Sequence, residues 1–227
     1  MKRFYLLLCT VLLVFSLFGC ENNPASDNKN SISATEPKLE TTTSSKSVTL
    51  EDLESRQDSL AEEFDYISSN NAIEIQGYLG NEKIVVVPQT INGLDVTSIH
   101  NYAFGNDCGI EGIKLSDSII ELKDSVFVNN ESLKTAIIGA GLKNLPESTF
   151  LNCANLETVK IKDGLKSIGD ICFSNCLNLK NLYIPETVDT ISKTAFLNVS
   201  SDFVIEGKAG SYAENYAREA NIPFEAK

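Results

Sequence analysis

Tryptophan is absent from the chain and histidine occurs once, as His100. Nucleophilic catalysis by a serine needs a histidine base oriented by a carboxylate. The one candidate stands beside Ile99 in SIHNYAF, where it reads as a surface turn residue. Carboxylates offer no substitute, because Asp117, Glu121 and Asp124 are spread over solvent-facing positions without acid/base spacing. A phosphate-cradling glycine loop is missing too, since Gly139-Ala140-Gly141 is only a small-residue turn. Runs of Lys or Arg are lacking and the formal charge is -12, so a nucleic-acid backbone is a poor partner. The apolar run from Phe4 to Phe18 spans fifteen residues. At ~1.5 Å each they reach ~22 Å, short of a ~30 Å hydrocarbon core. These absences argue against an enzyme, a metal site, a cofactor and a membrane-spanning helix.

What the N-terminus does contain is MKRFYLLLCTVLLVFSLFGC, with basic Lys2 and Arg3, the apolar run, and small Gly19 before Cys20. That is the layout of a secretory signal over residues 1–19. Leu17-Phe18-Gly19-Cys20 resembles the lipobox of bacterial lipoproteins, with Phe18 where a small or β-branched residue is usual. The resemblance implies cleavage before Cys20, lipidation of that thiol and stable membrane anchoring by several acyl chains. It places the chain in a bacterial cell envelope, on the outer face of the cytoplasmic membrane or at the cell surface. Residues 20–48 are dominated by Asn, Ser, Thr, Lys and Glu and read as a flexible tether.

Residues 49–90 read as a cap. TLEDLESRQDSLAEEF sets Leu50, Leu53 and Leu60 among charges, with Thr49 and Asp52 as a capping box. YISSNNAIEIQGYLGNEKIVVVP then alternates apolar residues around Asn70-Asn71 and Gly80-Asn81, which predicts two or three short strands.

Residues 91–208 repeat. Phe104, Phe127, Phe150, Phe173 and Phe196 recur every 23 residues. Aligned with them are apolar columns such as Ile99, Leu122, Leu145, Ile168 and Ile191, or Ile113, Ala136, Val159, Leu182 and Ile205. One such unit has too little core to fold alone, whereas stacked units bury their columns against each other. Leu156-x-x-Val159-x-Ile161 has the spacing of a leucine-rich-repeat strand, with Val159 and Ile161 inward and Lys160 outward. The expected fold is a repeat solenoid, a short leucine-rich-repeat horseshoe, mainly β, with five coils at ~4.8 Å making a stack of ~24 Å. Its open ends need lids. At the C-terminus residues 209–227 supply one: GSYAENYAREANIPFEA offers Ser211 and Glu214 as a capping box and Tyr212, Ala213, Ala217 and Ala220 as a helical stripe. Ile222 and Phe224 then read as a last strand.

C-x-x-L-x-x-V-x-I-x-x-x-L-x-x-I-x-x-x-x-F, from Cys153 to Phe173, resembles the BspA-like class of bacterial leucine-rich repeats. Ile184-Pro185 and Ala195-Phe196 match that class, as do an entry coil from Gln76 and the cap GSYAENYA. The departures are Val199, Asn130 and a first coil about five residues longer than the rest. The resemblance implies a surface or secreted protein of adhesion and interaction. It also accounts for the motif Cys172-x-x-x-Cys176. Cys153 and Cys176 fill the repeat's Cys/Asn column, three residues after the Phe, while Cys172 takes a small-residue position beside Phe173. With one histidine to join them these cysteines form no zinc set, and with Cys108 they are expected as reduced thiols.

A ligand would meet the outward side of the repeat strands. Ten residues after each Phe lie Lys114, Ile137, Lys160, Tyr183 and Glu206; eight after lie Gly112, Thr135, Thr158, Asn181 and Val204. With Lys162 nearby, Lys114, Ile137, Lys160 and Tyr183 form a candidate site for a protein or an acidic glycan, since Tyr and Lys supply stacking and charge. The alternative is a structural subunit of the envelope with no host ligand.

Overall fold

The computed structural model describes residues 47–227. The signal segment, Cys20 and nearly all of the tether lie outside the described residues.

Helix α1 (Leu50–Ser55) starts where Thr49 and Asp52 cap each other. Asp52 N donates to Thr49 Oγ1 at 3.2 Å, and Thr49 N donates to Asp52 Oδ2 at 2.9 Å. A single 3-10 turn, Ala61–Glu63, leads into the hairpin β1 (Phe64–Ser69) and β2 (Ala72–Tyr78). The hairpin turns at Asn70-Asn71, both with positive φ (50° and 65°), as a tight turn matched to strand twist requires. Strand β3 (Ile84–Val86) precedes a second hairpin, β4 (Thr90–Ile91) and β5 (Leu94–Ile99), closed by Asn92-Gly93 at φ 52° and 79°. Here the first coil is longer: Ile84 pairs with Gly112, 28 positions on, whereas Gly112 pairs with Thr135, 23 positions on.

The coils that follow each lay down one longer and one two-residue strand. In chain order these are β6 (Gly112–Lys114), β7 (Glu121–Leu122), β8 (Thr135–Ile138) and β9 (Asn144–Leu145). Next come β10 (Thr158–Ile161), β11 (Ser167–Ile168), β12 (Asn181–Ile184), β13 (Thr190–Ile191) and β14 (Val204–Gly207). The longer strands form one side of the solenoid as parallel ladders, β3-β6-β8-β10 and then β12-β14. The two-residue strands lie on a second side, where β2-β5-β7 is followed by β9-β11-β13. Proline marks both interruptions. Lys123, Gly169 and Ser192 donate backbone N–H to the short strand of the preceding coil, and Pro146, the same repeat position, has no N–H to give. Between β10 and β12, Pro185 stands where Lys162 donates to Ile138 O one coil earlier.

One apolar core runs the length of the coils. Its axis is a column of rings: Phe104, Phe127, Phe150, Phe173 and Phe196 stack at centroid distances of 4.9–5.6 Å. Tyr78 and Phe64 extend the column at one end, Phe203 and Tyr216 at the other, so both ends are closed by aromatic rings of flanking segments. Beside the rings runs a second column, two residues after each Phe, that is entirely asparagine. Asn152 donates to Asn129 at 2.7 Å, Asn175 to Asn152 at 2.6 Å and Asn198 to Asn175 at 2.7 Å. Each of these asparagines has φ between 55° and 62°, the left-handed conformation that Asn tolerates. An amide is also both donor and acceptor, so one residue type serves every rung.

At the C-terminus, Ser211 caps helix α2 (Tyr212–Ala220), and Asn221 ends it at φ 54°. The helix buries Ala213, Tyr216 and Ala217 rather than the expected Tyr212 and Ala220, which are exposed. The 3.6-residue period puts 213, 216 and 217 on one face, Tyr212 and Ala220 are the two end residues of the helix, and Tyr216 reaches Ser192 O with its hydroxyl at 3.0 Å. Strand β15 (Phe224–Ala226) adds to β14 in parallel.

Candidate functional site: the strand face beside the first helix

Along a strand with one wet side, burial alternates, as it does in β12, where Asn181 and Tyr183 are exposed and Leu182 and Ile184 buried. In β8 all four residues are buried. The cause is α1, which lies across β3, β6 and β8. Leu53 is fully buried there, and Ile137 and Thr135 are 1% and 2% exposed. Thr135 Oγ1 donates to Val48 O at 2.8 Å. Gly112 makes room, for a Cβ at that position would lie 2.7 Å from Val48 Cγ1 and 3.3 Å from Leu53 Cδ2.

Of the residues expected to meet a ligand, Ile137 is therefore corrected: it points to the expected side but is covered by α1 and is not exposed. Lys160 and Tyr183 are exposed, and Lys114 and Lys162 are half-buried. Lys160 and Lys162 are not free cations. Lys160 pairs with Glu54 on α1, and Lys162 spans both oxygens of Asp117 at 2.9 and 3.0 Å. Lys160, by hydrogen bond and charge, holds the Glu54 carboxyl below the usual carboxylate range, with Lys114 and Lys162 adding to the pull. Asp117 is likewise depressed by Lys162 and by the N–H of Ala140.

Next to α1 the face opens into a cleft of about 680 Å³ at the break between β10 and β12. Leu50 forms one wall; Lys160, Lys162, Asn181 and Tyr183 form much of the rest. The cleft thus offers an aromatic ring, a side-chain amide and two lysines already matched to carboxylates.

The cysteines lie elsewhere. Cys153 and Cys176 are fully buried, and their thiols donate to the carbonyls of Phe127 and Phe150, one coil back, at 3.1 and 3.2 Å. All four cysteines among the described residues are free thiols. Burial pushes Cys153 and Cys172 up to about 12, and Cys176 well above its ordinary value, which suits packing and not nucleophilic attack. Among the described residues no cluster of His, Cys, Asp or Glu could hold a metal ion. His100 lies in its turn with Nδ1 3.2 Å from Asn101 O.

Glu54 and Leu50 join this face from outside the repeat, so the 23-residue register does not point to them. One signal was present: glycine at 112, in a column otherwise filled by Thr, Asn and Val, marks a place where something comes close to the strand.

Similarity to known proteins agrees with this geometry. The BspA type leucine rich repeat region matches residues 87–202, in six copies. No curated protein matches the chain. A leucine-rich-repeat protein of T. pallidum is 25% identical with a TM-score of 0.62, over 66% of this chain and 71% of that one. One from Bacteroides ovatus is also 25% identical, with a TM-score of 0.56, over 66% of this chain and 47% of its own longer length. The repeat match spans half the chain, and the aromatic column and 23-residue registers follow it coil by coil, so the chain belongs to the BspA type leucine-rich-repeat family.

Proposed function

We propose that this protein is a lipid-anchored module of the bacterial cell surface, held through Cys20, that mediates adhesion or protein interaction. It binds a protein or glycan partner in the cleft beside α1. The family points to a surface and protein-binding role, and no helix among the described residues is long and apolar enough to cross a membrane. The observation that carries the reading is the contrast along one strand face. Helix α1 seals β8, while at β10 and β12 Lys160, Asn181 and Tyr183 line an open cleft. Tyrosine there offers a rigid surface at low entropic cost, and the lysines, paired with Glu54 and Asp117, offer hydrogen-bond donors held in register.

The test is a screen of the mature chain against extracellular proteins and glycans, with each hit re-measured on Lys160→Glu/Tyr183→Ala. Binding should weaken at least tenfold in the double variant. A partner held equally well by both chains binds elsewhere, and the assignment fails. Lipidation is checked separately: Cys20→Ser should release the chain from the membrane fraction.

A further inference from the structure

The strand face already holds one ligand, and it belongs to the chain itself. Helix α1 is six residues long, too short to persist alone in water. It exists because the face completes it. Leu53 sits in the seat that Gly112 leaves, above Thr135 and Ile137. Val48 O takes the Thr135 hydroxyl, and Glu54 takes Lys160. Lys114 and Lys162 stand on the same face, so its charge complements an acidic helix. Helix α1 itself is held by one fully buried leucine, one buried hydroxyl contact and one exposed ion pair, and the chain just after it by the Arg56–Glu82 pair and by Ser59 against Val86. A six-residue helix with one fully buried side chain costs less to open than the coils beneath it.

We propose that the β6-β8-β10 face is a docking surface for a short acidic amphipathic helix, which α1 fills in cis. A partner protein's helix with the same spacing displaces it: leucines three apart followed by glutamate, as in Leu50, Leu53 and Glu54. The proposal rests on reading this face as a binding surface and adds the class of partner and the competitor it must remove.

The probe is a fluorescent peptide of residues 47–60, titrated against the mature chain and followed by anisotropy. Wild type should bind it poorly because α1 competes. Leu50→Asp/Leu53→Asp, which frees the face, should bind at least tenfold more tightly. Lys160→Glu in that background should cost about fivefold or more, and a Glu54→Lys peptide should recover the loss. Gly112→Val, which fills the seat, should abolish binding. If the double variant loses its strand signal in circular dichroism, Leu53→Ala alone must show the same ordering. Equal affinity for wild type and the opened chain, or binding indifferent to Gly112→Val, overturns the proposal. A wild-type dimer that Gly112→Val dissolves also overturns it, making a second copy the occupant. Peptide failure with a Tyr183-dependent cleft ligand intact would remove this inference and leave the cleft reading standing.

Discussion

The thiol of Cys153 donates to the carbonyl oxygen of Phe127 at 3.1 Å, and one coil earlier the amide of Asn130 does the same to Phe104 at 2.8 Å. Two unlike side chains thus fill one repeat position because both carry a compact donor. They are not equal. Asn130 is fully buried and its Oδ1 finds no partner, and an orphaned buried acceptor costs about 1–3 kcal/mol.

Exchanging the two residue types should therefore have opposite effects. Asn130→Cys keeps a donor for Phe104 O and removes the orphan, so it should stabilise by about 1 kcal/mol; Cys153→Asn should destabilise by about as much. Urea midpoints of the two variants decide it. A loss of stability in Asn130→Cys would show that the amide oxygen is satisfied.

Alkali should weaken the fold. Unfolded, the thiols of Cys153 and Cys172 ionise near their ordinary value of 9.0; folded, burial holds them protonated up to about 12. The phenol of Tyr216 is raised in the same way, from 10.0 to about 12. Above pH 9 the unfolded chain binds fewer protons than the folded one, so stability is whole below that pH and falls as pH approaches 12. The slope is about 1.4 kcal/mol per pH unit for each thiol fully engaged. Guanidinium midpoints at pH 8, 9.5 and 10.5 should decline, and Cys172→Ala should flatten the decline. A wild-type midpoint constant to pH 10.5 would rule this out.

The asparagine ladder separates a hydrogen-bond effect from a backbone effect. Asn152 donates to Asn129, accepts from Asn175 and has φ 62°. Asn152→Gly removes two hydrogen bonds but tolerates the backbone, for a loss of about 1–3 kcal/mol. Asn152→Ala loses the same bonds and adds about 1–2 kcal/mol of left-handed strain. Thermal melts should rank wild type above Gly above Ala. Gly and Ala melting together would remove the conformational half of the account.

Ile171 is the misfit of another column. Tyr102, Ser125, Ser148 and Ile171, two residues before successive Phe rings, all have positive φ, and only Ile171 is β-branched, at φ 44°. Ile171→Asn should raise stability by about 1 kcal/mol and Ser148→Ile should lower it similarly. Urea denaturation of both checks the pair, and a destabilised Ile171→Asn would mean that its half-buried packing outweighs the strain.

Much of this architecture was legible because it repeats. The Phe column, the Cys/Asn position and the long first coil all follow from counting in units of 23. The asparagine column, Asn106 to Asn198, was equally countable, but its residues are polar and an eye trained on apolar periodicity passes over them. Where the first helix lands was not countable. LEDLES can cover any apolar surface, and only Gly112 and the apolar Ile137, in a pair of columns that is polar apart from them and Val204, betray a covered strand. The corrected stripe of α2 is a simpler matter, since Tyr212 and Ala220 are the first and last residues of the helix and only the turns between them are buried.

The two proline-marked breaks fall at different joints. Between the coils of Phe127 and Phe150 the short strands part, but β8 and β10 remain paired; between the coils of Phe150 and Phe173 the longer strands part, but β9 and β11 remain paired. The aromatic stack and the amide ladder cross both joints without a gap. As in brickwork laid with staggered seams, no single plane cuts every side of the wall, so no two neighbouring coils come apart without breaking a ladder, a ring contact and an amide rung together.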